Sequence, residues 1–258
     1  MSSEPLLFTK NYVDDEALVT VSHGDGSKGY LFDRDQDSKW TTSGANSDAT
    51  EVSVAVEFYE SGVAVSRTID RILLINHNLK DWHLDYWDGS AWVLLLTVTA
   101  DALGNTLKTL SSTATTKVRL RATATQIADA EKFVGEMVVC ALLVDPGRDV
   151  EPAYAPRWRE LTAELVMGEG SLHRVTTRWA QNRVQRYEAS VTFSFLNSAA
   201  RDALKAVRDD AEPFLWYPES VTRPAEIYLV FWSAPWAEKY VSSYKGAGSQ
   251  VTMEVREV

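Results

Sequence analysis

Valine recurs at every second position of EVSVAVEF, which puts Val52, Val54, Val56 and Phe58 on one face of a half-buried strand. WHLDYW alternates in the same way, and Asp88-Gly89 behind it supplies a tight turn into AWVLLLTV. KVRLRAT sets Val118 and Leu120 against Lys117, Arg119 and Arg121. DRILLIN is a nearly unbroken apolar run, suited to a strand covered on both sides, and FVGEMVVCALLV reads as one buried closing strand. Short strands with turns between them, and no long amphipathic helix, predict a β-sandwich here.

Beyond residue 147 the pattern is again strand-rich. LTAELVM and SLHRVTTRWA flank Gly168-Glu169-Gly170 as a hairpin would. RYEASVTFSFL alternates, burying Tyr187, Ala189, Val191, Phe193 and Phe195 or the opposite set. NSAARDALKAVRDD predicts a helix capped by Asn197 or Ser198, with Ala200, Ala203, Leu204 and Val207 as its apolar stripe and Pro213 past its end. EIYLVFW and SQVTMEVRE read as the last strands. Three prolines and a glycine in LVDPGRDVEPAYAPRW place a boundary near residues 145–156. The expected fold class is all-β, with two β-sandwich-type domains. Residues 1–147, with an N-terminal arm, make the first; residues 148–258 make the second, which carries one short α-helix.

Charge sharpens that division. Of the net −10, residues 1–147 carry −9 (12 Lys and Arg against 21 Asp and Glu) and residues 148–258 carry −1 (14 against 15). The net charge of −10 argues against nucleic acid as the main partner. No apolar run approaches the roughly 20 residues of a membrane span, and MSSEPLLFTKNYVDDEALV lacks the pattern of a secretory leader. Cys140, the single cysteine, sits in an apolar run as a buried structural thiol, which suits a reducing cytoplasm during folding.

Catalytic patterns are missing from the sequence. None of His23, His77, His83 and His173 lies near a nucleophile elbow, and there is no HExxH, paired CxxC, P-loop or dinucleotide fingerprint. The expectation is a protein without enzymatic activity, without catalytic residues and without a bound cofactor beyond a structural ion. Trp82, His83, Trp87 and Trp92 could stack on a sugar ring, while alternation assigns several of them to a core or packed hairpin. His77 and Asn78 suit the tying-down of a turn. LFDRDQDSKW packs Asp33, Asp35 and Asp37 ahead of Ser38 and Trp40, which fits a calcium loop, a sugar-site rim or a solvated turn.

The run LFDRDQDSKW resembles the DGDxxTxW loop of the discoidin family, whose members share a galactose-binding-like β-sandwich. Asp33, Asp35, Ser38 and Trp40 stand at the matching positions, and Arg34 replaces the usual glycine. RILLINHNL, DYWDGSAWVLL, TTKVRLRAT and KFVGEMVV follow in the family's order over residues 28–144. The resemblance implies a structural calcium held by Asp33, Asp35, Ser38 and Glu136, and a glycan ligand on unidentified residues. Residues 154–258 resemble long-tailed bacteriophage tail and baseplate proteins of the distal-tail type. The carriers are the basic hairpin LHRVTTRWAQNRVQRYEASVTFSFL, the short helix, EPFLWYP, IYLVFWS and the turn YKGAGS before VTMEVREV.

Together these imply a structural virion protein at a tail tip, assembled in the host cytoplasm. Copies of itself would form a ring that meets tail-tube and hub proteins, with tail fibres or a host glycan as further partners. Arg174, Arg178, Arg183 and Arg186, set against the acidic first half, would serve such contacts. The alternative is a carbohydrate-binding, lectin-like protein acting in adhesion.

Overall fold

A computed structural model describes residues 5–8, 11–14, 16–33, 38–144, 157–160, 185–211, 213–218, 227–243 and 246–257 of the chain. The chain is mostly β and forms two compact units, each with its own core. In order, the early strands are β1 (Leu6–Phe8), β2 (Leu18–Val21), β3 (Trp40–Thr41), β4 (Val52–Glu57), β5 (Tyr59–Glu60) and β6 (Val63–Ala64). They are followed by β7 (Arg67–His77), β8 (Leu79–Trp87), β9 (Trp92–Val98), β10 (Thr106–Thr115), β11 (Lys117–Thr125), β12 (Phe133–Cys140) and β13 (Leu142–Val144). Then come β14 (Arg157–Glu160), β15 (Gln185–Leu196), α1 (Ser198–Asp210), β16 (Phe214–Tyr217), β17 (Tyr228–Trp232), β18 (Ala237–Ser243) and β19 (Gly246–Glu257). None of the described helices is long and apolar enough to cross a membrane.

The first unit, built on residues 8–143, pairs a five-stranded sheet, β2-β4-β11-β8-β9, with a four-stranded one, β10-β7-β12-β3. The valines of β4 point inward as alternation requires: Val52, Val54 and Val56 are at most 1% exposed. Val118, Leu120 and Ala122 of β11 join them with Trp82 and Leu84 of β8. DRILLIN lies in β7, the second strand of its sheet, and Ile72, Leu73 and Leu74 are all buried. A 3-10 segment, Asp25–Leu31, packs beside Trp40, whose indole Nε1 donates to His23 O at 3.0 Å. Gly24 precedes it at φ 72°, with Thr41 O only 1.8 Å from where a Cβ would stand.

Loops at one end of this unit are tied by buried polar groups. The Lys132 ammonium, 0% exposed, donates to Ala45 O and Ser47 O at 3.0 Å each. Burial holds its pKa below the ordinary lysine value, and Asp48 and Asp129 pull it back up. Asn78 donates to Glu131 O at 2.7 Å and accepts from Phe133 N at 2.9 Å. His77 accepts from Leu79 N at 3.1 Å through Nδ1, which leaves the proton on Nε2 facing Thr106 Oγ1 at 3.1 Å. Both residues tie down the turn, as their place in NHNL suggested. Cys140 is buried, and that burial pushes its thiol pKa well up.

FVGEMVVCALLV departs from its expected single strand. It breaks at Ala141 into β12 and β13, which belong to different sheets, and Leu142 N donates to Asp70 Oδ1 at 2.8 Å just past the break. The unbroken apolar run hides this, because no turn residue marks the switch. The N-terminal arm differs too: β1 lies between β13 and β16 in the sheet of the second unit.

That second sheet runs β13-β1-β16-β17-β19-β15-β14, with β18 also on β19. Tyr187, Ala189, Val191 and Phe193 face its core, and a register shift after Phe193 turns Leu196 inward as well. Asn197 caps α1 through a 2.8 Å bond from Ala200 N, and Leu204 and Val207 carry its buried stripe. Ala211, left-handed at φ 55°, ends the helix ahead of Pro213. The hairpin expected around residues 168–170 and the boundary at 145–156 lie outside the described residues.

Candidate functional site

The outer face of the five-stranded sheet gathers the chemistry. Parity along β8 sends Trp82 and Leu84 inward and His83, Asp85 and Trp87 outward. The register then aligns Trp87 with Trp92, Asp85 with Leu94 and His83 with Thr97 on β9. On the other side, Arg119 stands opposite Asp85 and Arg121 opposite His83, with Glu57, Ala55 and Ser53 of β4 beyond. The result is a strand surface carrying two tryptophans, two arginines, a histidine and a recessed carboxylate.

The hairpin that presents the tryptophans is locked by Asp88. Its Oδ1 accepts from Ala91 N at 2.8 Å, Ser90 N at 2.7 Å and Ser90 Oγ at 2.9 Å, and Gly89 supplies φ 104°. Those bonds, from the Ala91 amide first, hold the Asp88 carboxyl below its ordinary pKa. Across the turn the Trp87 and Trp92 rings meet edge to face, centroids 5.5 Å apart at 70°. The Arg119 guanidinium sits over Trp92 at 4.7 Å and Lys117 over Trp87 at 5.8 Å.

Asp85 organises the cations. Although on the outer face, it is 2% exposed. Its Oδ2 accepts from Arg119 Nε and Nη2 at 2.9 and 2.7 Å and from Arg121 Nε at 2.7 Å, and its Oδ1 from Arg121 Nη2 at 3.0 Å. Burial acts to raise its pKa, but the hydrogen bonds from Arg121 and Arg119 outweigh it, so the carboxyl stays ionised below the usual range. Arg121 also reaches Glu51 at 3.0 Å. Asp85→Asn should cost about 2 kcal/mol. That is less than the roughly 3–5 expected for a fully buried pair, because the arginines keep 28% and 23% of their side-chain surface. Urea unfolding monitored by fluorescence would show it; a loss under about 0.5 kcal/mol would mean the network contributes little.

Of the four candidate sugar-stacking residues, the structure brings His83, Trp87 and Trp92 to this face and removes the fourth. Trp82 is fully buried, its Nε1 donating to Asp101 Oδ2 at 3.2 Å. His83 Nδ1 lies 3.0 Å from Thr97 Oγ1. Asp85, Arg119 and Arg121 carry no motif that marks them as site residues, though alternation sets both arginines on the polar face.

The proposed calcium ligands are placed only in part. Ser38 Oγ donates to Asp33 Oδ2 at 2.7 Å, Glu136 lies in β12 opposite Ile75, and Asp35 is outside the described residues. No group of three or more His, Cys, Asp or Glu side chains suited to a metal occurs among the described residues. Asp33 and Ser38 supply too few of calcium's six to eight oxygens to make the site by themselves.

No protein-family model matches the sequence, and no curated protein matches it. Solved structures that resemble it include family 32 carbohydrate-binding modules, of galactose-binding-like β-sandwich fold. The module of Clostridium perfringens NanJ, in complex with galactose, is 14% identical over 53% of this chain and 98% of its own, with a TM-score of 0.43. A second C. perfringens module, in complex with GalNAc-beta-1,3-galactose, gives 18%, 49% and 96%, with a TM-score of 0.41. The module of Streptococcus pneumoniae EndoD gives 19%, 51% and 99%, with a TM-score of 0.40.

Proposed function

We propose that the protein binds carbohydrate, through the outer face of the five-stranded sheet, and performs no chemistry on it. The observation that carries this reading is the Trp87–Trp92 ring pair, half-buried and braced by Arg119 and Asp85. Aromatic rings offer apolar surface to the C–H face of a sugar ring, while the flanking guanidinium and carboxylate groups suit its hydroxyls. Such a face holds its shape before ligand arrives, because Asp85 fixes both arginines.

Calorimetry with galactose and GalNAc-beta-1,3-galactose, the sugars seen in the similar modules, followed by a glycan array, is the direct test. Trp92→Ala should weaken binding at least tenfold, about 1.4 kcal/mol, with the melt showing the fold intact. Unchanged affinity would remove this face from the reading.

A calcium ion held by Asp33, Asp35, Ser38 and Glu136 would brace the same unit. Its melting temperature should then rise with calcium and fall back with a chelator; a melt that ignores both would dispose of the ion.

The tail-ring reading rests on the order of elements after residue 154. Arg174, Arg178 and Arg183 of its basic hairpin lie outside the described residues, and of Arg186 the backbone alone is described. Nothing in the described structure favours the ring over glycan binding. A ring with a central channel in negative-stain images would revive it.

A further inference from the structure

We infer that the outer face takes an uncharged oligosaccharide chain laid along β8, from Trp87 towards His83, rather than one terminal sugar. This rests on the glycan reading above and adds the ligand's length and charge.

Length follows from the register. The outward positions Trp87, Asp85 and His83 form three successive rows, each continued by Trp92, Leu94 and Thr97 on β9 and, for the last two, by Arg119 and Arg121 on β11. At roughly 3.3 Å per residue, Trp87 to His83 spans about 13 Å, more than one pyranose ring. The surface is strand throughout and stays open at its flanks, where Leu94 of β9 is 56% exposed and Leu18 of β2 is 54% exposed. A pocket for a chain end would enclose its ligand. Here three rows lie side by side on strand, so successive rings of a chain can each rest on one row.

Charge follows from the ion pairs. Each of the three cations on this face already has a carboxylate partner: Lys117 with Glu57 at 3.0 Å, and Arg119 and Arg121 with Asp85 at 2.7 Å each. Glu51 also pairs with Arg121 at 3.0 Å, so three carboxylates match the three cations and a uronate or sulfate meets no net positive charge on this face. Hydroxyls need none. They accept from the outward edges of the same guanidinium groups and leave the pairing intact.

The test is a titration of the full-length protein with ladders of one to six residues built from galactose, glucose or xylose. A galacturonate ladder of the same lengths is run beside them. The expected result is a Kd that tightens at least tenfold from one ring to four on one neutral ladder, with little dependence on salt. Trp92→Ala should weaken that binding at least tenfold, and His83→Ala should cut the ratio between short and long ligands at least threefold. A Kd independent of length would overturn the chain reading while leaving glycan binding in place. Tighter, salt-sensitive binding of galacturonates would overturn the neutral reading. Tight binding untouched by either Trp87→Ala or Trp92→Ala would move the site off this face, and no binding by any ladder would sink both proposals.

Discussion

Gly24→Ala is expected to destabilise the first unit by about 2–5 kcal/mol. Two costs add. A left-handed φ of 72° is unfavourable for a side chain by about 1–2 kcal/mol, and forcing atoms into filled space costs about 1–3 more. The obstacle here is the Thr41 carbonyl, 1.8 Å from the new Cβ, and Trp40 Nε1 lies 3.1 Å from it. A backbone carbonyl in a strand cannot rotate away as a side chain would, so the 3-10 segment must move off Trp40. Gly26→Ala is the control. It sits two residues on, has no neighbour within 4 Å of its Cβ and should change stability by under about 0.5 kcal/mol. Equal urea midpoints for the two variants would show that the close approach at Gly24 is not a constraint.

Acid should destabilise the same unit through His77, by about 3 kcal/mol between pH 7 and pH 4. Burial lowers its pKa from 6.5 to about 4, and the Asp101 carboxylate, 4.0 Å away, offsets that only in part. In the unfolded chain the imidazole takes a proton as pH falls through 6.5; in the folded chain it resists until about 4. The unfolded state therefore binds more protons in that window, and stability present above pH 6.5 drains away as pH falls. Carboxylates titrate over part of this range, so the measurement is a comparison. His77→Gln should show a shallower fall in unfolding free energy from pH 7 to pH 4 than the parent. Parallel curves would mean His77 charges as readily folded as unfolded.

The sequence revealed most where a single face is buried by close neighbours. Val52, Val54 and Val56, or Val118 and Leu120, announce their strand by parity, and Asn197 announces α1 by its cap. Polar strands give no such signal: β10, TLKTLSSTAT, is paired along β7 yet lacks the alternation that would mark it. Long-range polar contacts are equally hidden. Lys132 looks like a surface lysine until Ala45 and Ser47, more than 80 residues away, close over its ammonium.

The candidate site was half visible for related reasons. Trp87 and Trp92 flank an evident hairpin, but Trp82 has the opposite parity on β8 and belongs to the core. Asp85 is an acidic residue at an outward position, and it becomes central only because β11 brings two arginines to it from 34 and 36 residues away. A register irregularity beside Leu84 then decides that Leu94 stands opposite it.

The chain departs from the second sheet at β1 and returns to it at β13, and those two strands are neighbours in that sheet. To the second unit the whole sandwich is therefore a loop, one whose two ends meet. Closing a flexible loop of that length costs entropy that grows only as the logarithm of its size, and a sandwich that folds first brings its own ends together beforehand. Topologically it is a cassette. Residues within it can be lengthened, shortened or exchanged at little cost to the register of β1 on β16, provided entry and exit stay side by side. Changes in the sandwich and changes in the second unit can then be selected independently.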